Sequence, residues 1–495
     1  MQKTLKKALA LLLSLLLVVL SIMPTNAVDT PESGVHLHGE TEYVKWTDTA
    51  KLPTAAGHYY LDTDVDLAAA YQPTKNITIC LNGHKITSTS ASVTRLMMIN
   101  TANITVTLED CRYDGTFDHA GSITGGKGSG WGGAICLFKD TATLNLSGIL
   151  LTGNADNGTA NLGGGALLLR SGTMNLTNVK VSDNSTTALN GGAIYVNDGT
   201  LNIKNSVFEN NSSGAKSGGA LYLNSGSTVI ENSSFTGNQG TNGAAIRCTS
   251  GASLHLKDST VIGNTDLATG NYCGAVYILA TDAAKTVIEG ESVITGNQNA
   301  SGTAADLMMQ SAETVFTLKN PTENTKLKLR SFGTNKAEGA TLAVLDGSFA
   351  GTYLWTPDSD LLIKAADGKL LLERRVLAEE IRLDRTAVTL TEGLSTTLTA
   401  TVLPENTTLK DLVWTSSNET VATVDQSGNV AALVPGEAVV TATAADGSGV
   451  SATCTVTVLA AHLHDGVKYT RWEDATALPT AAGHYYLDTD VDLAA

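Results

Sequence analysis

Histidines and cysteines are sparse in this chain, with 9 and 6 in 495 residues, so those recurring at short spacing mark where chemistry could reside. His36 and His38 alternate, so on a strand both imidazoles would face one side and offer two nitrogen ligands to a metal ion. No third ligand stands beside them, and no metal and no cofactor is assigned. Asp62, Asp64 and Asp66 also alternate and raise a calcium site. An EF-hand-type loop would need Gly at its sixth position and an acid at its twelfth, where Leu67 and Pro73 stand. That reading fails, leaving a looser cation site or solvated carboxylates at an edge. The cysteines, at 80, 111, 136, 248, 273 and 454, form no CxxC and fit no zinc module. They are expected as buried or isolated thiols, with Cys80–Cys111 the one pairing worth testing. The remaining constellation is aromatic and polar. Tyr195, Tyr222, Arg247 and Tyr277 follow one another at spacings of 27, 25 and 30, with Asn197 and Asn224 beside the first two.

Catalysis finds less support. Glycoside hydrolysis needs two carboxylates across one bond, whereas Asp183, Asp258 and Asp306 fall at different places in the repeat. Ser/His and Cys/His nucleophile signatures are absent from the sequence, and the reading is non-enzymatic. The formal charge of -16 excludes a phosphate-tracking surface, hence nucleic acid as partner.

The elements that would position these residues come from internal repetition. A small-residue step into an apolar strand recurs as Gly132-Gly133-Ala134-Ile135, Gly164-Gly165-Ala166-Leu167, Gly191-Gly192-Ala193-Ile194 and Gly218-Gly219-Ala220-Leu221. Gly243-Ala244-Ala245-Ile246 and Cys273-Gly274-Ala275-Val276 continue it, with a worn copy at Ala304-Ala305-Asp306-Leu307. A second marker keeps step, an apolar residue followed three positions on by Asn: Leu151/Asn154, Val181/Asn184, Phe208/Asn211, Phe235/Asn238, Val261/Asn264 and Ile294/Asn297. Between the markers lie alternating runs such as Leu201-Asn202-Ile203, with strand rather than helix periodicity. A period of about 27 residues holds three short strands and three turns, one coil of a parallel β-helix. The recurrent Asn suits a stacked amide ladder. On the marker strand, Ile135, Leu167, Ile194, Leu221, Ile246 and Val276 face the core, and Cys136, Leu168, Tyr195, Tyr222, Arg247 and Tyr277 point outward. Such a stripe could hold a sugar ring by CH contact and amide hydrogen bonds, or simply stabilise the sheet surface.

The Gly-Gly-Ala-Ile step paired with Phe208/Asn211 and Phe235/Asn238 resembles the repeats of chlamydial polymorphic outer-membrane proteins and of related surface proteins of the pectin-lyase-like right-handed β-helix superfamily. The resemblance implies fold and surface exposure, and no activity. The opening through Leu81-Asn82-Gly83-His84 resembles the β-helix start of exported proteins of gut-dwelling Gram-positive bacteria. Trp414-Thr415-Ser416-Ser417-Asn418, Val421-Ala422-Thr423-Val424-Asp425 and Gly436-Glu437-Ala438 resemble the bacterial immunoglobulin-like group 2 domain, in which the module acts as a spacer or adhesive unit.

The expected organisation is therefore all-β: a right-handed parallel β-helix followed by an immunoglobulin-like β-sandwich. Residues 1–27 read as a signal peptide, with Lys3, Lys6 and Lys7 before an apolar run at 8–22 and Ala27 at the cleavage site. That run falls short of the roughly 20 residues that span a bilayer, so no membrane insertion is expected after cleavage. A lead-in at 28–57 precedes the β-helix at 58–375, and the immunoglobulin-like module covers 378–458. Residues 478–495 repeat 52–69 identically at an offset of 426, so 462–495 reads as the start of a second, truncated copy of the N-terminal region. The functional expectation is a secreted or cell-surface adhesin-like protein whose β-helix meets a glycan or a host surface protein. A polysaccharide-degrading β-helix enzyme and a structural stalk are the alternatives. Oligomeric state is not read from the sequence.

Overall fold

The computed structural model describes residues 36–491, except 160–161, 270–272, 332–337, 356–360, 473–476, 481 and 488–489. The expected signal peptide and the first part of the lead-in lie outside the described residues. The chain divides into two units, one ending at residue 373 and one beginning at 374. Both are β-structures, and a 3₁₀ turn at Ala283–Lys285 is the helical element among the described residues.

The first unit is a parallel β-helix. In one coil the strands are Ile194–Val196, Thr200–Lys204, Val207–Glu209 and Ser212–Ser217. Each pairs in parallel with its counterpart a coil further on: Ile194 with Leu221, Leu201 with Thr228, Phe208 with Phe235, and Ser212 with Gln239. The expectation of three strands per coil is corrected to four. The extra one follows the Asn corner, whose inward side chain holds the corner so firmly that the next two or three residues resume pairing.

Alternation decides what each strand buries. Along Thr200–Lys204, Leu201 and Ile203 are buried while Thr200 and Asn202 are only partly so. On the next strand Phe208 and Phe235 are fully buried and stack at 4.7 Å with an 11° tilt. The Gly-Gly step permits the coils to approach. A Cβ on Gly192 would lie 2.0 Å from the Gly219 carbonyl oxygen, and Gly191 holds φ at +74°.

At the Asn corner the expected amide ladder is continuous. The side-chain Nδ2 of Asn154, Asn184, Asn211, Asn238 and Asn264 each donates to the Oδ1 of the next asparagine, at 2.9–3.0 Å. The same Oδ1 also accepts the preceding asparagine's backbone N–H. Asn297 ends the run by donating to Asp306 at 2.8 Å. A second buried ladder joins Ser206, Ser233, Ser259 and Ser292, each hydroxyl accepting the previous serine's N–H.

The coil's long stack of strands is closed at both ends by antiparallel partners. At the start, His36–His38 pairs antiparallel with Thr41–Trp46, which then runs parallel to Gly57–Leu61. Residues expected as lead-in are therefore built into the coil's first sheet. At the other end Thr341–Asp346 pairs antiparallel with Lys369–Arg374. Such closures blunt sheet edges that would otherwise recruit other strands.

The second unit contains a β-sandwich. A four-stranded sheet of Ala387–Thr391, Ser451–Leu459, Gly436–Ala444 and Leu412–Ser416 accompanies a three-stranded one of Ser395–Thr397, Asn429–Ala432 and Ala422–Val424. Trp414, Val440 and Cys454 are buried in its core. Beyond it, His462–His464 and Val467–Trp472 form a hairpin whose second strand runs parallel to Tyr485–Leu487. The register, His462 opposite Tyr469 and Trp472 opposite Leu487, is that of His36 opposite Tyr43 and Trp46 opposite Leu61. The sequence duplication is thus a structural one.

Candidate functional sites: an outer stripe and a histidine–cysteine cluster

The marker strands place the aromatic and polar constellation in one ladder. Tyr195 pairs in register with Tyr222, Tyr222 with Arg247, and Arg247 with Tyr277. Tyr195 and Tyr222 stack at 5.0 Å, and the Arg247 guanidinium sits 4.6 Å from the centre of the Tyr277 ring. Asn197 and Asn224 donate weakly to backbone carbonyls of the preceding coil, at 3.4 and 3.5 Å.

The stripe is less open than its outward direction implied. Tyr195 and Tyr277 retain 8% and 4% of their exposure, and Cys136 and Leu168 none. Trp131, Phe138 and Leu162 pack against Cys136, Leu168, Tyr195 and Tyr222, making a small second core outside the coil. Burial also pushes the Tyr195 hydroxyl pKa up to about 12. Tyr222, Arg247, Asn197 and Asn224 stay partly exposed and form the accessible margin.

The carboxylates are occupied by structural partners. Asp62 pairs with Lys45 at 2.8 Å, Asp64 with Lys85 at 3.4 Å, and Asp66 accepts from the Thr89 hydroxyl at 2.6 Å. Buried Asp156 accepts the N–H groups of Gly130 and Gly132 at 2.6 and 2.9 Å, and buried Asp266 accepts that of Gly274 at 2.9 Å. Asp183 and Asp258 adopt positive φ, as do Asn178, Asn205 and Asn232, so they serve as turn residues. Asp306 closes the asparagine ladder.

A different group converges at the start of the coil. Strand Ile77–Cys80 and strand Thr105–Glu109 are parallel neighbours with Cys80 opposite Glu109, which brings Cys111 beside Cys80. Their sulfurs are 3.4 Å apart, and both thiols are free. The initial hairpin lays His36 and His38 over them, so that the ligand atoms of all four side chains lie within 4.8 Å of one another. The histidines lacked a third ligand in the sequence, and the fold supplies two.

Surrounding residues fix this cluster. His36 stacks on Tyr60 at 4.3 Å and His38 on Tyr43 at 4.2 Å. Glu109 accepts from His38 Nδ1 at 2.6 Å and from the Tyr43 hydroxyl at 2.5 Å. Asp110 accepts the N–H groups of Gly83, Arg112 and Gly121, at 2.8, 2.7 and 2.6 Å, and so locks the corner that carries Cys111. Burial disfavours the His38 cation, yet bonds to Cys111 and Glu109 outweigh it and raise its pKa to about 9. The hydrogen bond from Cys80, joined by the two histidines, overcomes burial and lowers the pKa of the Cys111 thiol. Two thiols and two imidazoles, once deprotonated, are a ligand set that binds soft cations. Only the pairing of His36 with His38 and of Cys80 with Cys111 was visible along the chain. Uniting the pairs required knowing that the hairpin folds back across the first coils.

Comparison with known proteins locates segments of the chain. An uncharacterized protein of Clostridium acetobutylicum is 41% identical over 83 residues, 17% of this chain and 9% of that protein. Lacto-N-biosidase of Bifidobacterium bifidum is 44% identical over 71 residues, 14% of this chain and 6% of the enzyme. Alpha-L-arabinofuranosidase of Bifidobacterium longum is 36% identical over 121 residues, 24% of this chain and 11% of the enzyme. The chain therefore matches only a small part of each relative's length. Residues 378–456 match the family model of the bacterial Ig-like domain (group 2), and the sandwich built from them is a member of that family.

Proposed function

We propose that this chain is an exported, non-enzymatic binding protein, whose β-helix presents a repeated outer face to a glycan while the Ig-like module acts as spacer. The observation that carries the reading is the accessible margin of Tyr222, Arg247, Asn197 and Asn224, set in register on successive coils. An aromatic edge, a guanidinium and amides at about 4.8 Å strand spacing suit a chain of hydroxyl-bearing rings. The structural commitment of Asp156, Asp266 and Asp306 favours binding over hydrolysis, since each is buried and spent on a backbone N–H or on the asparagine ladder. Relatives named for glycan-cleaving activities support glycan as the partner class. A host surface protein is the second partner class. Secretion follows from the residue pattern at 1–27.

The test incubates the full chain with pectic, mucin-type and plant polysaccharides and records both retention and polymer length. Saturable retention at unchanged length is expected, with Tyr222→Ala combined with Arg247→Ala weakening it at least tenfold. Shortened polymers would establish the enzyme alternative. Absence of saturable retention would leave a structural stalk.

A further inference from the structure

We propose that His36, His38, Cys80 and Cys111 form a tetrahedral zinc site that staples the N-terminal hairpin to the coils carrying Ile77–Cys80 and Thr105–Glu109.

The distances support one shared ion. Zinc lies about 2.0–2.1 Å from imidazole nitrogen and about 2.3 Å from thiolate sulfur. A tetrahedron with those bonds has edges of about 3.3 Å between nitrogens, 3.5 Å between nitrogen and sulfur, and 3.8 Å between sulfurs. Here the two Nε2 atoms are 3.0 Å apart, His36 Nε2 is 3.7 Å from Cys111 Sγ, and the sulfurs are 3.4 Å apart. These three edges fall within a few tenths of an ångström of the ideal, and the other three lie within 4.8 Å. The donor set is also the one tetrahedral zinc prefers, two thiolates and two imidazoles.

The surroundings are those of a built site. His38 presents Nε2 to the cluster because its Nδ1 is held by Glu109, the carboxylate–histidine–metal arrangement that fixes tautomer and ring orientation. Glu109 is fixed in turn by Tyr43. The duplicated hairpin gives an independent view of the same geometry. His462 and His464 bring their Nε2 atoms to 2.9 Å, and His462 stacks on Tyr486 at 4.4 Å as His36 stacks on Tyr60. The hairpin thus aims two imidazoles at one point wherever it forms. Only at the first copy do cysteines meet them among the described residues.

The consequence is mechanical. The ligands come from the hairpin, the strand ending at Cys80 and the corner after Glu109. One ion therefore joins three segments that are separate along the chain.

The test uses the full chain, purified without chelator under mild reductant and analysed for bound metal. One zinc per chain is expected. After exchange with Co²⁺, thiolate-to-cobalt charge transfer in the near ultraviolet and the intense visible bands of four-coordinate cobalt should appear. Cys111→Ser and His38→Ala should abolish both, while His464→Ala leaves them unchanged. Should those ligand variants misfold, Glu109→Gln keeps all four ligands and should weaken zinc about 10–100-fold. A Cys80–Cys111 disulfide in protein collected from culture medium would overturn the proposal. So would reduced thiols without stoichiometric metal, a cobalt spectrum lacking the thiolate band, or undiminished affinity in Glu109→Gln.

Discussion

Replacing Asn211 by alanine tests whether the buried ladder carries the stability of the coil. The Asn211 Oδ1 accepts the Asn184 backbone N–H at 3.1 Å and the Asn184 side-chain amide at 3.0 Å. Its Nδ2 donates to the Val181 carbonyl and to Asn238 Oδ1, both at 2.9 Å. Truncation strands the Asn184 N–H in a dry corner, at about 1–3 kcal/mol for an unsatisfied buried donor. The Asn184 amide and the Val181 carbonyl each lose a further bond of about 0.5–1.5 kcal/mol net, for about 4 kcal/mol in all. The control is Asn175, which makes the same amide-to-amide contacts, 2.8 Å to Asn145 and 2.8 Å from Asn202, on the half-buried outer face. Water replaces those bonds, so Asn175→Ala should cost below about 1 kcal/mol. Equilibrium urea unfolding of the full chain gives both values, and amide exchange should show lost protection at Asn184. Asn211→Asp should be worse than alanine at neutral pH, since a buried carboxylate cannot donate to Val181 or Asn238. Its folded-state pKa would be raised, so the penalty should shrink as pH falls toward the unfolded value and grow as pH rises. Equal costs for Asn211→Ala and Asn175→Ala would refute the reasoning.

Two further outcomes follow from particular contacts. Gly192→Ala should destabilise by about 3 kcal/mol or more, because the new Cβ meets the Gly219 carbonyl at 2.0 Å and neither backbone can retreat. Gly263→Ala, whose Cβ meets nothing nearer than 3.8 Å, should lose only the left-handed backbone penalty of about 1–2 kcal/mol; thermal unfolding of the pair checks the difference. Glu289 is desolvated, yet His255 at 2.8 Å and Lys319 at 3.3 Å outweigh that and hold its pKa below the usual carboxylate value. Its contribution is present above the unfolded pKa and is lost as pH falls through the depressed folded one, so Glu289→Gln should flatten the acid limb of a stability–pH curve.

Sequence period revealed what neighbouring coils share, and missed what they do not. The Asn ladder was legible because six asparagines recur in step with an apolar residue, and buried amides in register can satisfy one another along the stack. The inward set on the marker strand followed from alternation for the same reason. The fourth strand was missed because Ala155–Asp156 or Gln298–Asn299 is too short for any apolar pattern. The covering of Tyr195 was missed because Trp131 and Leu162, which flank the stripe, stand outside the aligned markers. The zinc-type cluster joins ligands up to 75 residues apart, which no local spacing reports.

These failures share a cause that also says where function can reside. In a solenoid every interior position faces its own equivalent, so selection at one coil constrains the next, and like packs on like: Asn on Asn, Ser on Ser, Phe208 on Phe235. A constellation of unlike groups cannot form inside such a stack without breaking a ladder. It can form where the stack stops or where its outer face is free to vary. Both candidate sites obey that rule. The histidines and cysteines meet at the closing hairpin, and Tyr222 gives way to Arg247 only on the outward side of the marker strand, while Leu221 and Ile246 behind them stay apolar. The prediction carried by this contrast is directional. Exchanging Tyr222 with Arg247 on the outer face should alter ligand retention and leave unfolding nearly unchanged, whereas exchanging Asn211 with Phe208 in the interior should abolish folding. Comparable stability losses from the two exchanges would show that the outer face is as constrained as the core, and would remove it as a place for recognition.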